Sequence, residues 1–192
     1  MSTTQPIKQV SEIRTLKDFY EETVPNDRNR LLIIMGLNTA LRIGDILNLK
    51  YKDIYSFGTG KIKSHISVIE SKTGKANRVY INEELKTAIR ETTDITVHKA
   101  DDWLFPSRKH GNKPLSRYQA YRITRNAAEA SNLSLRVSPH SLRKTFGYHA
   151  WQHGASPVLL MIVYNHSSYN VTKRYLGIDQ DEKDSIFKEN CL

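Results

Sequence analysis

The segment Leu31-Leu32-Ile33-Ile34-Met35-Gly36-Leu37 is apolar on every side of a helical wheel. A surface helix carries one apolar stripe; a helix with no polar face has to be enclosed by other elements. Residues 28–38, preceded by the break Pro25-Asn26-Asp27, therefore read as a buried helix that the rest of the chain must cover. With 192 residues the chain is long enough to do this within one domain.

The remaining pattern supplies the cover. Residues 11–24 read as a helix with Ile13, Leu16, Phe19 and Tyr20 on one stripe, and Ser11 placed to cap it. Residues 42–49 continue in helical register with Ile43, Ile46, Leu47 and Leu49 inward. Residues 65–70 and 78–81 read as two short strands joined by the basic loop 71–77. Asn82 caps a helix carrying Leu85, Ala88 and Ile89, and Trp103-Leu104-Phe105-Pro106 reads as a buried extended segment. A helix is expected over 116–130. Ser138-Pro139 and Ser156-Pro157 each place an N-cap before a proline at the first helical position, opening helices that end near Gly154 and Tyr164. A last helical stretch covers 168–176. The expected fold is α+β, a mostly α-helical single domain with a small antiparallel β-sheet on one side. Residues 1–10 are expected to be a disordered lead and 179–192 a polar tail.

Composition narrows the functions open to such a domain. The single cysteine, Cys191, excludes an internal disulfide and any zinc site built on several cysteines. The apolar run of residues 158–164 is far below the ~20 residues a membrane helix needs. The first nine residues have no apolar h-region, so a reducing cytoplasm is the expected compartment. Lys and Arg number 29 against 20 Asp and Glu, a formal charge of +9, which favours a polyanionic partner, most often nucleic acid.

Four groups of residues carry chemical interest. Arg42 stands at the end of the buried helix with Asp45 three positions on, where helical spacing lets the carboxylate orient the guanidinium. Taken alone, such a pair is more often a structural ion pair at a helix junction. His140 and Arg143 share the first turn of a helix, beside free backbone N–H groups that favour an anion. The loop Ser71-Lys72-Thr73-Gly74-Lys75 carries two lysines. His166 follows Tyr164-Asn165, and Tyr175 lies nine positions later in Lys173-Arg174-Tyr175-Leu176. His149 and His153 are spaced as half a metal site, but the glutamate of a His-Glu-x-x-His motif and a third ligand are missing, so no metal is expected.

The order of these groups, Arg, hairpin Lys, His-x-x-Arg, His, then Tyr, resembles the signature of the tyrosine recombinases, the phage-integrase family. The resemblance runs from about Ser11 to Tyr175 and implies a recombinase catalytic domain over residues 11–178. It implies that Arg42 and Arg143 hold a scissile DNA phosphate, that Lys72 protonates the leaving 5′ oxygen, that His140 assists proton transfer, that His166 donates to the phosphate and that Tyr175 is the nucleophile. Asp45 falls on the acidic position that braces the first arginine. Lys75 and Lys144 are expected to contact DNA. Tyr164-Asn165 stands where the family usually has Leu-Gly; Asn tolerates a left-handed backbone, so the turn is expected to survive.

The implied activity is site-specific recombination through a 3′-phosphotyrosine, with integration, excision or inversion of a mobile element as its outcome, and with neither metal, ATP nor other cofactor. The implied partners are double-stranded DNA and further copies of the chain, a monomer when free and a tetramer in the synapse, in the bacterial cytoplasm at the nucleoid. The polar tail resembles the segment by which family members dock onto a neighbouring protomer, through Ile186 and Phe187. The family's usual N-terminal DNA-gripping domain is absent from the sequence, as expected for an excised fragment or a naturally short member. The alternatives are a non-catalytic basic DNA-binding module and a DNA-relaxing enzyme of the type IB topoisomerase kind.

Overall fold

The computed structural model describes residues 4–108, 111–133, 137–178, 184 and 187–189. The elements in chain order are α1 (Val10–Asp18), α2 (Asp27–Asn38), α3 (Ile43–Leu47), α4 (Tyr51–Ile54), β1 (Tyr55–Ser56), β2 (Lys61–Ile62), β3 (His65–Ile69), β4 (Ala76–Tyr80), α5 (Glu83–Thr92), α6 (Arg117–Ala130), α7 (Pro139–Gln152), α8 (Pro157–Tyr164) and α9 (Tyr169–Leu176).

Helix α2 is the centre. Asn26 caps it by accepting from the Asn29 N–H at 3.1 Å. Leu31, Leu32, Ile33 and Met35 are at most 1 % exposed, each such side chain contributing about 1.5–3 kcal/mol of apolar burial. Helices α7, α5, α1 and α6 pack around it. Gly36 makes room for α7: a β-carbon there would lie 2.7 Å from the Leu142 side chain of that helix. No described helix is long and apolar enough to cross a membrane.

The expected mostly helical α+β fold is observed, but the β structure is two separate antiparallel hairpins, β1–β2 and β3–β4. In the second, Ile66 pairs with Val79 and Ser67 with Arg78. The β1–β2 hairpin was not expected; its strands are two residues each, too short for a period to show. The single helix expected over 42–49 breaks at Asn48 and resumes as α4. The helix expected over 11–24 is α-helical only to Asp18 and then widens into a π turn, Phe19–Thr23. This turn accompanies a buried anchor, the Tyr20 hydroxyl donating to the Ile123 carbonyl of α6 at 3.0 Å. Leu104 and Phe105 are buried as expected, whereas Trp103 is only partly so.

The expected disordered lead is corrected for its described part, residues 4–9. Ile7 is 1 % exposed. Its N–H donates to Thr145 Oγ1 at 2.9 Å, and its carbonyl accepts from His149 Nε2 at 3.0 Å. The segment's own polar sequence hides this because its partners lie on α7. Of the tail, Ile186 lies outside the described residues, and Phe187 is 78 % exposed.

Candidate active site

The loop from α2 to α3 places Arg42. Thr39 closes α2, and Ala40 follows with φ +54°, a left-handed conformation that costs an alanine about 1–2 kcal/mol. The strain has a visible return, because the turned carbonyl of Ala40 accepts a hydrogen bond from Arg143 Nε. Arg42 is then the residue capping α3.

Arg143 sits in the first half of α7, whose start is fixed by the capping box of Ser138 with Ser141 and by Pro139 at the first turn. Its side chain is held on three sides. Besides Ala40, its Nη2 donates to the Tyr164 carbonyl at 3.3 Å, and its guanidinium carbon stands 4.6 Å from the Tyr164 ring centre. The Tyr164 hydroxyl in turn donates to the Arg143 carbonyl at 2.6 Å. The arginine is thus fixed from both its ends by one α8 residue.

Helix α8 ends at Asn165 with φ +53°, so the asparagine adopts the left-handed turn that the sequence required. The turn delivers His166, whose Nδ1 shares a hydrogen bond with Thr172 Oγ1 at 3.0 Å. Helix α9 then brings Tyr175 back against both histidines. Its ring meets those of His140 at 5.0 Å and His166 at 4.9 Å, both edge-on, and that of Tyr164 at 5.3 Å. The Tyr175 hydroxyl is buried and, among the described residues, makes no hydrogen bond of normal geometry, although it faces the Arg143 guanidinium.

In front of this cluster opens a cavity of about 410 Å³ lined by Arg42, Gly44, Lys72, Arg117, His140 and Arg143, among others. Arg42, Lys72, His140 and Arg143 therefore line one cavity, while His166 and Tyr175 are outside its lining, the Tyr175 ring centre 5.8 Å from the Arg143 guanidinium carbon. Lys72 is exposed on the β3–β4 loop, which Gly74 (φ +67°) and its N–H to the Glu70 carbonyl at 2.8 Å turn tightly. Lys75, on the same loop, is exposed and is not among the residues that line the cavity.

Two expectations are corrected. Asp45 does not brace Arg42: its Oδ1 accepts from the N–H and hydroxyl of Ser71 at 2.9 and 2.7 Å, and its Oδ2 has no partner. Arg42 pairs instead with Glu70, a residue outside the four groups above. The reason is distance along the chain: equal helical phase favoured Asp45, but the hairpin brings Glu70 to Arg42 from 28 positions away. A lone carboxylate closing an alternating strand, just before a basic loop, was the available signal. Lys144 is also not placed as a DNA contact. It is 5 % exposed, donates to the Thr4 carbonyl at 2.7 Å and stands 5.2 Å from the Tyr175 ring centre. Its stem follows the buried face of α7 rather than the solvent face.

The electrostatics follow from this packing. Burial pushes the Glu70 carboxyl up, but polar groups of Asn165, Thr73, Asn77 and Arg42 outweigh it and hold the group down at about 2. Enclosure of the His140 ring, and then the cations Lys144, Arg143, Arg42 and Lys72, lower it to about 4. Burial, with Arg143 and Arg42, lowers His166 likewise to about 4. Both imidazoles are neutral at pH 7. Burial raises the Tyr175 phenol above its ordinary value, and the opposing pull of Arg143 and Arg42 is the smaller effect. At rest the site thus holds a neutral phenol, two neutral imidazoles and an excess of fixed positive charge, an arrangement suited to a phosphodiester.

Comparison with known proteins gives the same direction. The sequence model of the phage integrase family matches residues 9–182. The "Probable integrase/recombinase YoeC" of Bacillus subtilis (strain 168) is 41 % identical over 188 residues, covering 98 % of this chain and 97 % of that one. The "Tyrosine recombinase XerA" of Pyrococcus furiosus is 28 % identical over 177 residues, 89 % of this chain but only 58 % of its own length. Among solved structures, a XerH site-specific recombinase bound to a palindromic difH substrate, in a post-cleavage complex, superposes with a TM-score of 0.73 at 21 % identity. That match covers 98 % of this chain and 55 % of the XerH chain, and it shows a shared fold.

Proposed function

The chain belongs to the phage integrase family, and from that premise we propose that it is a site-specific DNA recombinase that cuts and rejoins DNA through Tyr175. YoeC and XerA, recombinases by name, favour this over a binding module or a relaxing enzyme. The observation that carries the reading is the Tyr175 hydroxyl. It is buried without a hydrogen bond of normal geometry, between two neutral histidines and facing the fixed Arg143 guanidinium. A buried orphan hydroxyl costs about 1–3 kcal/mol, a cost without structural benefit unless a substrate supplies the missing partner.

In the proposed reaction Arg42 and Arg143 embrace the scissile phosphate, and their charge offsets the extra negative charge of the five-coordinate transition state. The Tyr175 oxygen forms a bond to phosphorus as its proton passes to His140, which is neutral and able to accept it. The bond from phosphorus to the 5′ oxygen breaks, and Lys72 supplies that oxygen with a proton. His166 donates to a phosphate oxygen. The product is a 3′-phosphotyrosine and a free 5′-hydroxyl, so the bond energy is kept for rejoining by a 5′-hydroxyl of another strand. Glu70 keeps Arg42 in place and Asp45 ties down the loop carrying Lys72. Lys75 adds a phosphate contact at the hairpin tip.

The same reading makes residues 11–178 the catalytic unit and places the work on double-stranded DNA in the bacterial nucleoid, with the chain monomeric until DNA assembles a tetramer. Its tail would join protomers through Phe187, opposite an apolar face of α8 whose Val158, Leu159 and Ile162 are 51, 53 and 64 % exposed. Phe187→Asp should then halt assembly at the monomer-bound stage on a native gel.

The deciding experiment incubates the protein with a nicked suicide duplex carrying the end sequence of the element that encodes it. A covalent band on a denaturing gel that disappears in Tyr175→Phe is the expected result. Binding at low salt without a band from either protein would sink the enzymatic reading.

A further inference from the structure

Arg117 was not among the residues singled out in the sequence, and the reaction above does not use it. It opens α6 directly after the N-cap Ser116, and its side chain lines the same cavity as Arg42, Lys72, His140 and Arg143. The two catalytic arginines are neutralised or tied: Arg42 by Glu70, Arg143 by two backbone carbonyls. Arg117 is exposed, and among the described residues no acceptor pairs with it. A guanidinium held free at the mouth of a phosphate site lacks an anion.

Gly44 supplies the second observation. It lies inside α3, where glycine costs about 0.5–1 kcal/mol relative to alanine. Its φ is not positive, so no backbone conformation calls for glycine. What a β-carbon would meet is the Arg117 guanidinium: 2.8 Å from Nη2, 3.2 Å from Nε and 3.3 Å from Cζ. The missing methyl is the seat on which that guanidinium rests, flat against the turn that carries Arg42.

We propose that Arg117 is a DNA-positioning residue that takes the phosphate next to the scissile one, and that Gly44 is small so as to hold it there. The proposal rests on the recombinase reading for its substrate. Two guanidinium forks, Arg42 and Arg143, already serve the scissile phosphate from the inner wall. A third, on the outer wall, meets the strand one nucleotide away and fixes the register in which Tyr175 finds its target. Because the group that a Cβ would displace is the end of a flexible side chain, Gly44→Ala shifts Arg117 without breaking the fold.

The test is the salt dependence of binding to a nicked duplex of arbitrary sequence, because phosphate neutralisation does not depend on sequence. Arg117→Ala should flatten the slope of log K against log salt by about 0.9, one phosphate contact. Arg117→Lys should restore the slope, since a lysine keeps the charge. Gly44→Ala keeps the guanidinium charge but moves it off its seat, so it should weaken binding at fixed salt with the slope little changed and Tm unchanged or raised, and the double variant should lose no more than Arg117→Ala alone. An unchanged slope in Arg117→Ala, or additive losses in the double variant, overturns the proposal. The Tyr175→Phe trapping experiment reports separately: a wild type that binds but forms no covalent band defeats the recombinase reading, and the slopes still decide whether Arg117 meets a phosphate.

Discussion

Around α2 the buried side chains are mostly Leu, Ile and Met, whereas between α7, α8 and α9 they include Arg143, Ser141, Thr172 and Tyr164, with Tyr175 half-buried among them. The first region repays burial by removing apolar surface from water. The second has to offset the desolvation of polar groups, and does so bond by bond: Tyr164 to the Arg143 carbonyl, Arg143 to Ala40 and Tyr164, Thr172 to His166. It leaves one polar atom beside the arginine unpaired, the Tyr175 hydroxyl. The difference separates two tasks. One region makes the domain stable; the other spends stability to keep reactive groups dry and aligned.

Substitutions should dissociate the two. The largest effect is Tyr175→Phe, which removes covalent cleavage altogether while Tm stays level or rises, because an unpaired hydroxyl goes with it. Thermal melting alongside the denaturing gel reads both; a clear fall in Tm would mean that the hydroxyl has a structural partner. Leu32→Ala should do the reverse. It should cost about 2–5 kcal/mol of stability by leaving a cavity in the α2 core, with the cleavage rate per folded molecule unchanged below its melting range. Denaturant titration with single-turnover cleavage tests this.

Tyr164→Phe sits at the boundary between the two kinds of burial. Losing its bond to the Arg143 carbonyl should cost about 1 kcal/mol or somewhat more, and cleavage should slow because Arg143 loses a support. Equal cleavage would show that Ala40 alone holds the arginine. The smallest effect is one of pH. Both histidines bind protons less readily in the folded protein than in the unfolded chain, where the value is near 6.5. The unfolded chain therefore takes up more protons as pH falls from about 6.5 towards 4, and stability declines over that window. Glu70, held at about 2, adds a further loss below about 4.5. Tm measured across pH should fall in this way, and His166→Gln should blunt the upper part of the decline; an identical profile in the variant would place the titration elsewhere.

The same contrast explains what could be read from the sequence. The α2 core was legible because its signal is local: seven consecutive residues without a polar face. The caps at Ser138, Ser156 and Asn82 and the left-handed turn at Asn165 were legible because each acts within a few residues. Pairings across the chain were not. Glu70 reaches Arg42 from a hairpin, Lys144 finds the carbonyl of Thr4, and Arg117 rests on Gly44 from another helix. The misreading of Asp45 has the same origin, since a partner one helical turn away was preferred to one that only the folded hairpin supplies.

The segment from Thr4 to Ile7 sets a condition on the order of events in the chain's assembly. Its three bonds, to Lys144, Thr145 and His149, join residues 138 to 142 positions apart. They cannot form until α7 has been made. At translation speeds of about 5–20 residues per second the first residues emerge on the order of ten seconds before their partners. Closing so long a loop is slow and entropically costly. Docking of this segment accordingly waits on α7, the same helix that the α2 core needs for its own closure.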